Sequence, residues 1–155
     1  MQSALAWKTI LVPYDFSDGA DHAAAIALAE ARTHGASVLL LHVVELMPHF
    51  GPETRLILPE GTQTPIGIHH YARSRAETDL REVAARLAGD IAIETFVREG
   101  NPIEEIANFA RQNSVDLIVM GTHGRTGLRR VVIGSVAERM VRTSPVPVLT
   151  TRHPD

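Results

Sequence analysis

Residues Val115 to Ser135 read VDLIVMGTHGRTGLRRVVIGS, and this stretch decides the fold. Its first six residues, Val115 to Met120, are nearly continuously apolar, which is typical of a strand covered on both faces in a parallel sheet between helix layers. A glycine-containing segment follows, and Gly134-Ser135 then opens a segment whose apolar residues recur at helical spacing. The stretch therefore predicts a strand, a loop and a helix in succession.

Four further runs extend this alternation along the chain. Ile10–Val12 and Val38–Val44 are also nearly continuously apolar, so both are predicted to be strands covered on both faces. Ile91–Val97 alternates and carries a polar glutamate, which indicates an edge strand with one partly exposed side. Val146–Thr150 contains Pro147, and because proline cannot donate a ladder hydrogen bond, this strand takes the other edge.

Start and stop signals mark helices between these strands. Ser17 is a capping residue for an alanine-rich helix from Asp18 to Thr33, and Gly35 is placed to end that helix. Asn101, followed by a proline and then a glutamate three positions on, predicts another helix start. Ser135 and the glutamate three residues later form a further capping box. Between the second and third strands, apolar residues recur at helical spacing from Ala76 to Leu87 and predict one more helix. A helix is therefore predicted after each of the first four strands.

The resulting order, βαβαβαβαβ, predicts an α/β fold: a single domain over residues 1–155 with a doubly wound five-stranded parallel sheet and helices on both faces. The edge assignments favour the strand order 3-2-1-4-5. Residues 1–6 are expected to form an N-terminal tail and residues 45–65 a long loop. Because ligands of such sheets bind where the winding reverses, we expect a site after Val12 and after Met120.

Composition excludes several classes of protein and site. The chain has 155 residues, a net charge of -3 and no cysteine, so a disulfide scaffold, a thiolate zinc site and a cysteine nucleophile are ruled out. No basic excess is available to neutralise a nucleic-acid backbone. No apolar run reaches the ~18 residues that cross a bilayer. We therefore expect no nucleic-acid partner, no membrane partner and a cytoplasmic location.

The glycines after the fourth strand indicate a phosphate site. Gly121 and Gly124 let the backbone turn tightly and approach a ligand without an intervening Cβ. Gly134-Ser135 then opens a helix whose free N–H groups and positive dipole end suit a phosphate. Arg125, with two further arginines in the same segment, supplies cations. The alternative interpretation is that these glycines serve turns only.

The same glycine spacing carries a resemblance to a known family. Gly121-x2-Gly124-x9-Gly134-Ser135 resembles the ATP-binding signature of universal stress proteins. Pro13-Tyr14-Asp15-Phe16-Ser17 looks like their first-strand motif. Leu40–Val43 resembles the end of their second strand, and Pro145–Leu149 resembles their last strand. The likeness covers about Lys8 to Thr150, and the nine-residue interval between glycines is its specific part.

The resemblance implies a nucleotide-regulated, cytosolic stress-response protein that binds ATP, with a protein partner still to be identified. It also implies a homodimer, formed through the strand predicted at 146–150. In the family's ATP-binding branch, the positions of Pro13, Tyr14 and Asp15 line the adenosine end, and the backbone at Val43 contacts adenine. Ribose and phosphates are flanked or held at the positions of Met120, Gly121, His123, Gly124, Gly134, Ser135 and Val136.

Three of these positions carry side chains that affect how a nucleotide would be held. Tyr14 stands where many relatives have a smaller residue, so its ring is expected to alter the adenine pocket. Asp15 carries a charge that repels phosphates, so it is expected to face the ribose or adenine, or to hold Mg between itself and the phosphates. The alternative for Asp15 is a helix cap beside Ser17. His123 is expected to bond a ligand oxygen or only to pack in its loop.

Motifs that would indicate catalysis do not stand out. The sequence has no GxSxG elbow, kinase motif set or GxxxxGK[ST] loop, and no general base or metal-ligand set is recognisable. Catalytic residues are therefore not assigned, and any ATP hydrolysis is expected to be slow or partner-dependent. The alternatives left open are a slow ATPase or adenylate-transferring enzyme on the same fold, a nucleotide-free interaction dimer, and AMP or a cyclic nucleotide as the ligand.

Overall fold

Seven strands and four helices make up the described part of the computed structural model, which comprises residues 6–45, 56–122 and 133–152. In chain order they are β1 (Thr9–Pro13), α1 (Asp18–His34), β2 (Ser37–Val44), β3 (Leu56–Ile57), β4 (Ile66–Gly67), α2 (Ile68–Leu87), β5 (Ile93–Glu99), α3 (Pro102–Gln112), β6 (Leu117–Gly121), α4 (Ser135–Thr143) and β7 (Val148–Thr151).

Five of the strands form one parallel sheet in the order β5-β2-β1-β6-β7. Counted along the chain without the short β3 and β4, this is the order 3-2-1-4-5, so the predicted fold class is confirmed. β5 and β7 occupy the two edges, as the alternating pattern and the proline indicated. The winding reverses between β1 and β6, where Ile10 is in register with Leu117.

A short antiparallel pair, β3 with β4, lies just before α2. Leu56 pairs with Gly67, and Ile57 pairs with Ile66, so the region predicted as a loop over 45–65 contains a strand. Sequence periodicity could not reveal this pair, because two-residue strands are too short to show a repeat.

Apolar side chains cover both faces of the five-stranded sheet. Ile10 and Val12 pack with α1 and α2 on one face, whereas Leu11 between them packs with α3 and α4 on the other. All three are fully buried, and each such side chain contributes roughly 1.5–3 kcal/mol to stability. Because neighbours along a central strand are buried on opposite faces, every position must be apolar, which explains the continuous runs in the sequence.

Two of the predicted helix starts and one helix end are confirmed. The Ser17 hydroxyl accepts a hydrogen bond from the Ala20 amide at 3.2 Å, and Gly35 ends α1 in the left-handed conformation at φ 67°. The Asn101 side chain accepts from two amides at the start of α3, and Pro102 occupies the first helical position. The caps at Ser17 and Asn101 fix the residues at which α1 and α3 begin after the preceding strands.

The predicted capping box at Ser135 is wrong. α4 begins at Ser135 itself, and Gly134 is its N-cap, with no side-chain cap hydrogen bond. The Gly134 N–H donates to the Thr122 carbonyl oxygen at 2.6 Å, which holds Gly134 at ψ 148° as the last residue before the helix. Ser135 therefore stands one position too late for its hydroxyl to serve as the cap.

Each helix in the segments 6–45, 56–122 and 133–152 is too short or too polar to cross a membrane.

Candidate functional site

A cavity of about 790 Å³ opens where the winding of the sheet reverses, between the carboxyl ends of β1, β2 and β6 and the start of α4. Its volume lies within the roughly 300–1,000 Å³ usual for small-molecule sites. The predicted site residues within the described segments all line it: Pro13, Tyr14, Asp15, Val43, Met120, Gly121, Gly134, Ser135 and Val136. The other three, His123, Gly124 and Arg125, lie outside the described residues.

The corner after β1 is stabilised by the Asp15 carboxylate. Asp15 Oδ1 accepts from the Ser17 amide at 3.1 Å and from the Ser17 hydroxyl at 2.5 Å. Short side chains that bond the backbone two residues on are typical of such turns. Asp15 therefore supports the start of α1 while it also lines the cavity, so its two predicted roles do not exclude each other.

Phe16 occupies an unusual backbone conformation at this corner. Its φ is 64°, a left-handed value that costs a residue with a side chain of order 1–3 kcal/mol. The ring packs against His42 at 4.8 Å and edge-on to Tyr14 at 5.4 Å between ring centroids. These aromatic contacts hold the strained residue in place beside the cavity. Phe16 was not predicted as a site residue, because local sequence patterns do not reveal a positive φ.

Tyr14 points its hydroxyl toward α1. The side chain is only 3% exposed, and its O–H donates to Asp21. Burial raises the pKa of the Tyr14 phenol well above its ordinary value, and the hydrogen bond to the Asp21 carboxylate raises it further. The Tyr14 N–H donates to the Leu41 carbonyl at 2.8 Å, so this amide is already used within the protein.

The end of β2 presents backbone groups to the cavity. The Leu41 carbonyl faces β1, and the Val44 carbonyl accepts from Gly100 on the β5 side at 3.0 Å. Because N–H and C=O groups alternate between the two sides of a parallel strand, those of Val43 face the β1 side. Pairing between β1 and β2 stops at Pro13 and Leu41, so Val43 lies beyond the last ladder partner.

His42 is a buried histidine with a structural hydrogen bond. It is 8% exposed, and its Nδ1 lies 2.7 Å from the Tyr14 carbonyl oxygen. A carbonyl only accepts, so Nδ1 carries the hydrogen. His42 also lines the cavity, and its bond fixes the end of β2 to the corner after β1.

Gly121 is required by packing inside the protein. A Cβ at this position would lie 2.9 Å from the Gly19 carbonyl oxygen and 3.0 Å from its carbon, in the first turn of α1. This distance is too short for any other residue without a backbone shift. Gly121 does line the cavity, but α1 rather than a ligand accounts for the glycine. The next residue, Thr122, also lines the cavity and was missed, although it stands inside the glycine signature.

The start of α4 offers backbone donors to the cavity. The amides of Ser135, Val136 and Ala137 are the first three of the helix, so they have no intrahelical acceptor. Gly134 provides no side-chain cap, and all four residues line the cavity. Free amides at the positive end of a helix dipole form a site for an anion.

A known protein family matches this chain over nearly its whole length. Residues 6–152 match the model of the Universal stress protein family. The chain belongs to the universal stress protein family. Universal stress protein MJ0531 of Methanocaldococcus jannaschii is 36% identical over 151 residues, which span 96% of this chain and 84% of that protein. Family membership is therefore shown over almost the whole sequence.

Solved structures of the family share the fold. Protein MJ0577, also from Methanocaldococcus jannaschii, superimposes with a TM-score of 0.76 at 24% identity, covering 97% of this chain and 99% of that one. A universal stress protein in complex with cAMP gives a TM-score of 0.67 at 22% identity, covering 95% and 98%. One from Archaeoglobus fulgidus in complex with dAMP gives 0.59 at 22% identity, covering 94% and 98%.

Among the residues that the structure describes, the charged side chains lining the cavity of this universal stress protein are mostly acidic. Asp15, Glu45 and Asp79 are carboxylates, and Arg75 is the one guanidinium among the lining residues that the structure describes. Arg75 is ion-paired with Asp79 at 3.1 Å. Both residues come from α2 and were missed, because the side of α2 that meets the cavity depends on helix packing. Within the described segments, no cluster of three or more metal-ligating side chains occurs.

Proposed function

We propose that this protein binds an adenine nucleotide, ATP, in the cavity at the end of the sheet. The observation that carries the proposal is the start of α4, where three helix amides without intrahelical acceptors line the cavity. Two family structures of the same fold contain the adenine nucleotides cAMP and dAMP, which supports the ligand class. The intact glycine signature supports ATP within that class.

The proposed pose follows the geometry of the two ends of the cavity. Adenine would meet the backbone N–H and C=O of Val43, which face the β1 side. They offer one donor and one acceptor beyond the last residue pair between β1 and β2. The phosphates would meet the amides from Ser135 to Ala137. Tyr14 would form part of the cavity wall and would not donate its N–H to the nucleotide, because that N–H already donates to the Leu41 carbonyl. His123 and Gly124 keep the roles beside the ribose and phosphates that the resemblance implies, and Arg125 would supply a cation near them.

The acidic wall bears on how the phosphate charge would be neutralised. Among the described lining residues, three carboxylates and one paired guanidinium do not compensate the charge of a triphosphate. We propose that Mg²⁺ bridges Asp15 and the phosphates, and that Arg125 supplies a further positive charge. Asp15 fits this role chemically because a carboxylate has about four acceptor positions, and Mg²⁺ favours one or two protein carboxylates together with phosphate oxygens.

We further propose that the nucleotide regulates a homodimer in the cytoplasm. β7 is an edge strand, so the outer row of its backbone groups has no partner strand among the residues that the structure describes. Such an edge pairs readily with a second copy of the same strand. Nucleotide bound near the end of β6 lies next to β7, because Gly121 is in register with Thr151. This contact offers a route from the cavity to the dimer edge.

The test removes one helix amide without removing the helix. Ser135→Pro deletes the first amide of α4, and proline is well tolerated at a first helical position. Gly134, the residue before it, already has ψ 148°, which suits a residue that precedes proline. Ser135→Ala is the matched control, because it removes the hydroxyl and keeps the amide.

Calorimetric titration with ATP, AMP and cAMP gives the readout. We expect the wild-type protein to bind ATP most tightly, and Ser135→Pro to bind it roughly tenfold more weakly than Ser135→Ala, the loss for one hydrogen bond to a charged group. Circular dichroism confirms that both variants are folded. Equal ATP affinity of the two variants, or no binding by the wild type, would contradict the proposal.

A further inference from the structure

Tyr14 lines the cavity together with Pro13 and Asp15, and three hydrogen bonds hold it in place. Its N–H donates to the Leu41 carbonyl at 2.8 Å, its carbonyl accepts from His42 Nδ1 at 2.7 Å, and its hydroxyl donates to Asp21. Asp15 is the next residue along the chain. Because the Tyr14 backbone and side chain are both fixed, the direction in which the Asp15 carboxylate leaves the chain is set largely by Tyr14.

Arg86, in the last turn of α2, completes this arrangement. Its Nη2 donates to the same Asp21 oxygen at 2.7 Å and to the Tyr14 hydroxyl oxygen at 3.2 Å. We call these three side chains the Tyr14–Asp21–Arg86 brace. The ion pair is about half exposed, so its own contribution to stability is small. Its geometry matters more, because one guanidinium nitrogen reaches both partners.

The brace joins three elements that each form part of the cavity wall. β1 lines the cavity through its end at Pro13, α1 through Ala20, and α2 through Ala72 and Ala76. Arg86 itself is not among the lining residues that the structure describes. The contact between one lining residue, Tyr14, and two residues behind the wall, Asp21 and Arg86, therefore connects the elements that form the cavity.

We propose that Arg86 is a positioning residue for nucleotide binding: through Asp21 and Tyr14 it holds the Asp15 corner and the α2 wall at the spacing that an adenine nucleotide requires. The inference rests on the proposed function and adds to it a residue outside the cavity that sets affinity. It also gives Tyr14 a reason to be a tyrosine, since a smaller side chain could not reach Asp21.

The experiment compares Arg86→Met, Tyr14→Phe and their combination with the wild type, using ATP as the probe. Tyr14→Phe keeps the ring and removes only the hydroxyl. Arg32→Met is the matched control, because Arg32 of α1 donates to Asp90, just after α2, at 3.1 Å and is similarly exposed. Affinity is measured by calorimetry at a temperature where urea curves show every variant to be folded, so that lost stability does not lower the measured affinity.

We expect each single variant of the brace to bind ATP roughly three- to tenfold more weakly than the wild type, the range typical of residues that act through others. The double variant should be no weaker than the weaker-binding single variant, because both changes break one network. Arg32→Met should bind as the wild type does. ATP affinity unchanged in folded Arg86→Met, or losses that simply add in the double variant, would overturn this inference alone. A wild type that binds no adenine nucleotide would overturn the proposed function and the inference together.

Discussion

Gly121 at the end of β6 and Gly19 in the first turn of α1 approach so closely that a Cβ on Gly121 would stand 2.9 Å from the Gly19 carbonyl oxygen. The contact is between backbone and backbone, so no flexible side chain can move aside. It brings the start of α1 against the strand end that lines the cavity.

We therefore expect Gly121→Ala to lower the free energy of unfolding by about 1–3 kcal/mol, the usual cost of overpacking. Urea denaturation followed by circular dichroism measures it. Gly89→Ala is the control, because its Cβ would meet only the end of the Arg32 side chain at 3.8 Å, and its effect should stay within about 0.5 kcal/mol. Identical denaturation midpoints for the two variants would show that Gly121 is not constrained by Gly19.

The proposed magnesium bridge is tested at Asp15. Asp15→Asn keeps an oxygen that can accept from the Ser17 amide and hydroxyl, so the corner before α1 should persist. It removes the negative charge that Mg²⁺ requires. We expect added Mg²⁺ to strengthen ATP binding by the wild type and to leave binding by Asp15→Asn almost unchanged.

Titrations with ATP in magnesium and in EDTA measure this difference. Binding of AMP, which has fewer phosphates to share a cation, serves as the control and should depend less on Mg²⁺ in both proteins. If the variant responds to Mg²⁺ as strongly as the wild type, Asp15 does not hold the cation.

Alkaline pH should destabilise the fold through Tyr14. Its pKa is raised in the folded protein by burial and by Asp21, whereas in the unfolded chain it is ordinary, about 10. Below that pH both states keep the proton and the full stabilisation is present. Above it the unfolded chain loses the proton first, so the free energy of unfolding falls as pH rises.

Urea midpoints between about pH 8 and 11 measure this dependence. Tyr14→Phe should flatten the decline, because it removes the group that titrates. Tyr71→Phe removes a phenol from the more exposed surface of α2 and should retain the decline. Parallel pH curves for wild type and Tyr14→Phe would mean that the buried phenol does not govern alkaline stability.

The proposed dimer edge is tested at Thr150. The carbonyls of Pro147 and Thr151 both accept from the segment that continues or contains β6, so by alternation the backbone groups of Thr150 face outward. Thr150→Pro removes that outward N–H at an edge, where proline is tolerated within a fold. Thr150→Ala keeps the N–H and is the control.

Light scattering after gel filtration at micromolar concentration gives the oligomeric state. We expect a dimer for the wild type and Thr150→Ala, and a monomer for Thr150→Pro. A monomeric wild type, or a Thr150→Pro dimer of unchanged stability, would contradict assembly through β7.

Local patterns predicted the sheet because the forces that form it repeat along each strand. Ile10–Val12 must be apolar at every position when both faces are covered, and Pro147 restricts its strand to an edge. The capping box at Ser135 failed for a non-local reason. The hydrogen bond from the Gly134 N–H to the Thr122 carbonyl makes Gly134 the N-cap, one residue before the predicted cap. The sequence around α4 does not show that Thr122 lies beside it.

By itself, the sequence determined the strand order, the reversal between strands one and four, and the short segments at those strand ends that line the cavity. Tertiary structure alone decided that α1 excludes a Cβ at Gly121, that α2 turns Arg75 and Asp79 to the cavity, and that Arg86 reaches Tyr14 and Asp21. The physical reason is how far apart along the chain the interacting residues lie. Apolar runs and the caps of α1 and α3 can be recognised from residues a few positions apart, whereas these contacts depend on how whole helices pack across the sheet.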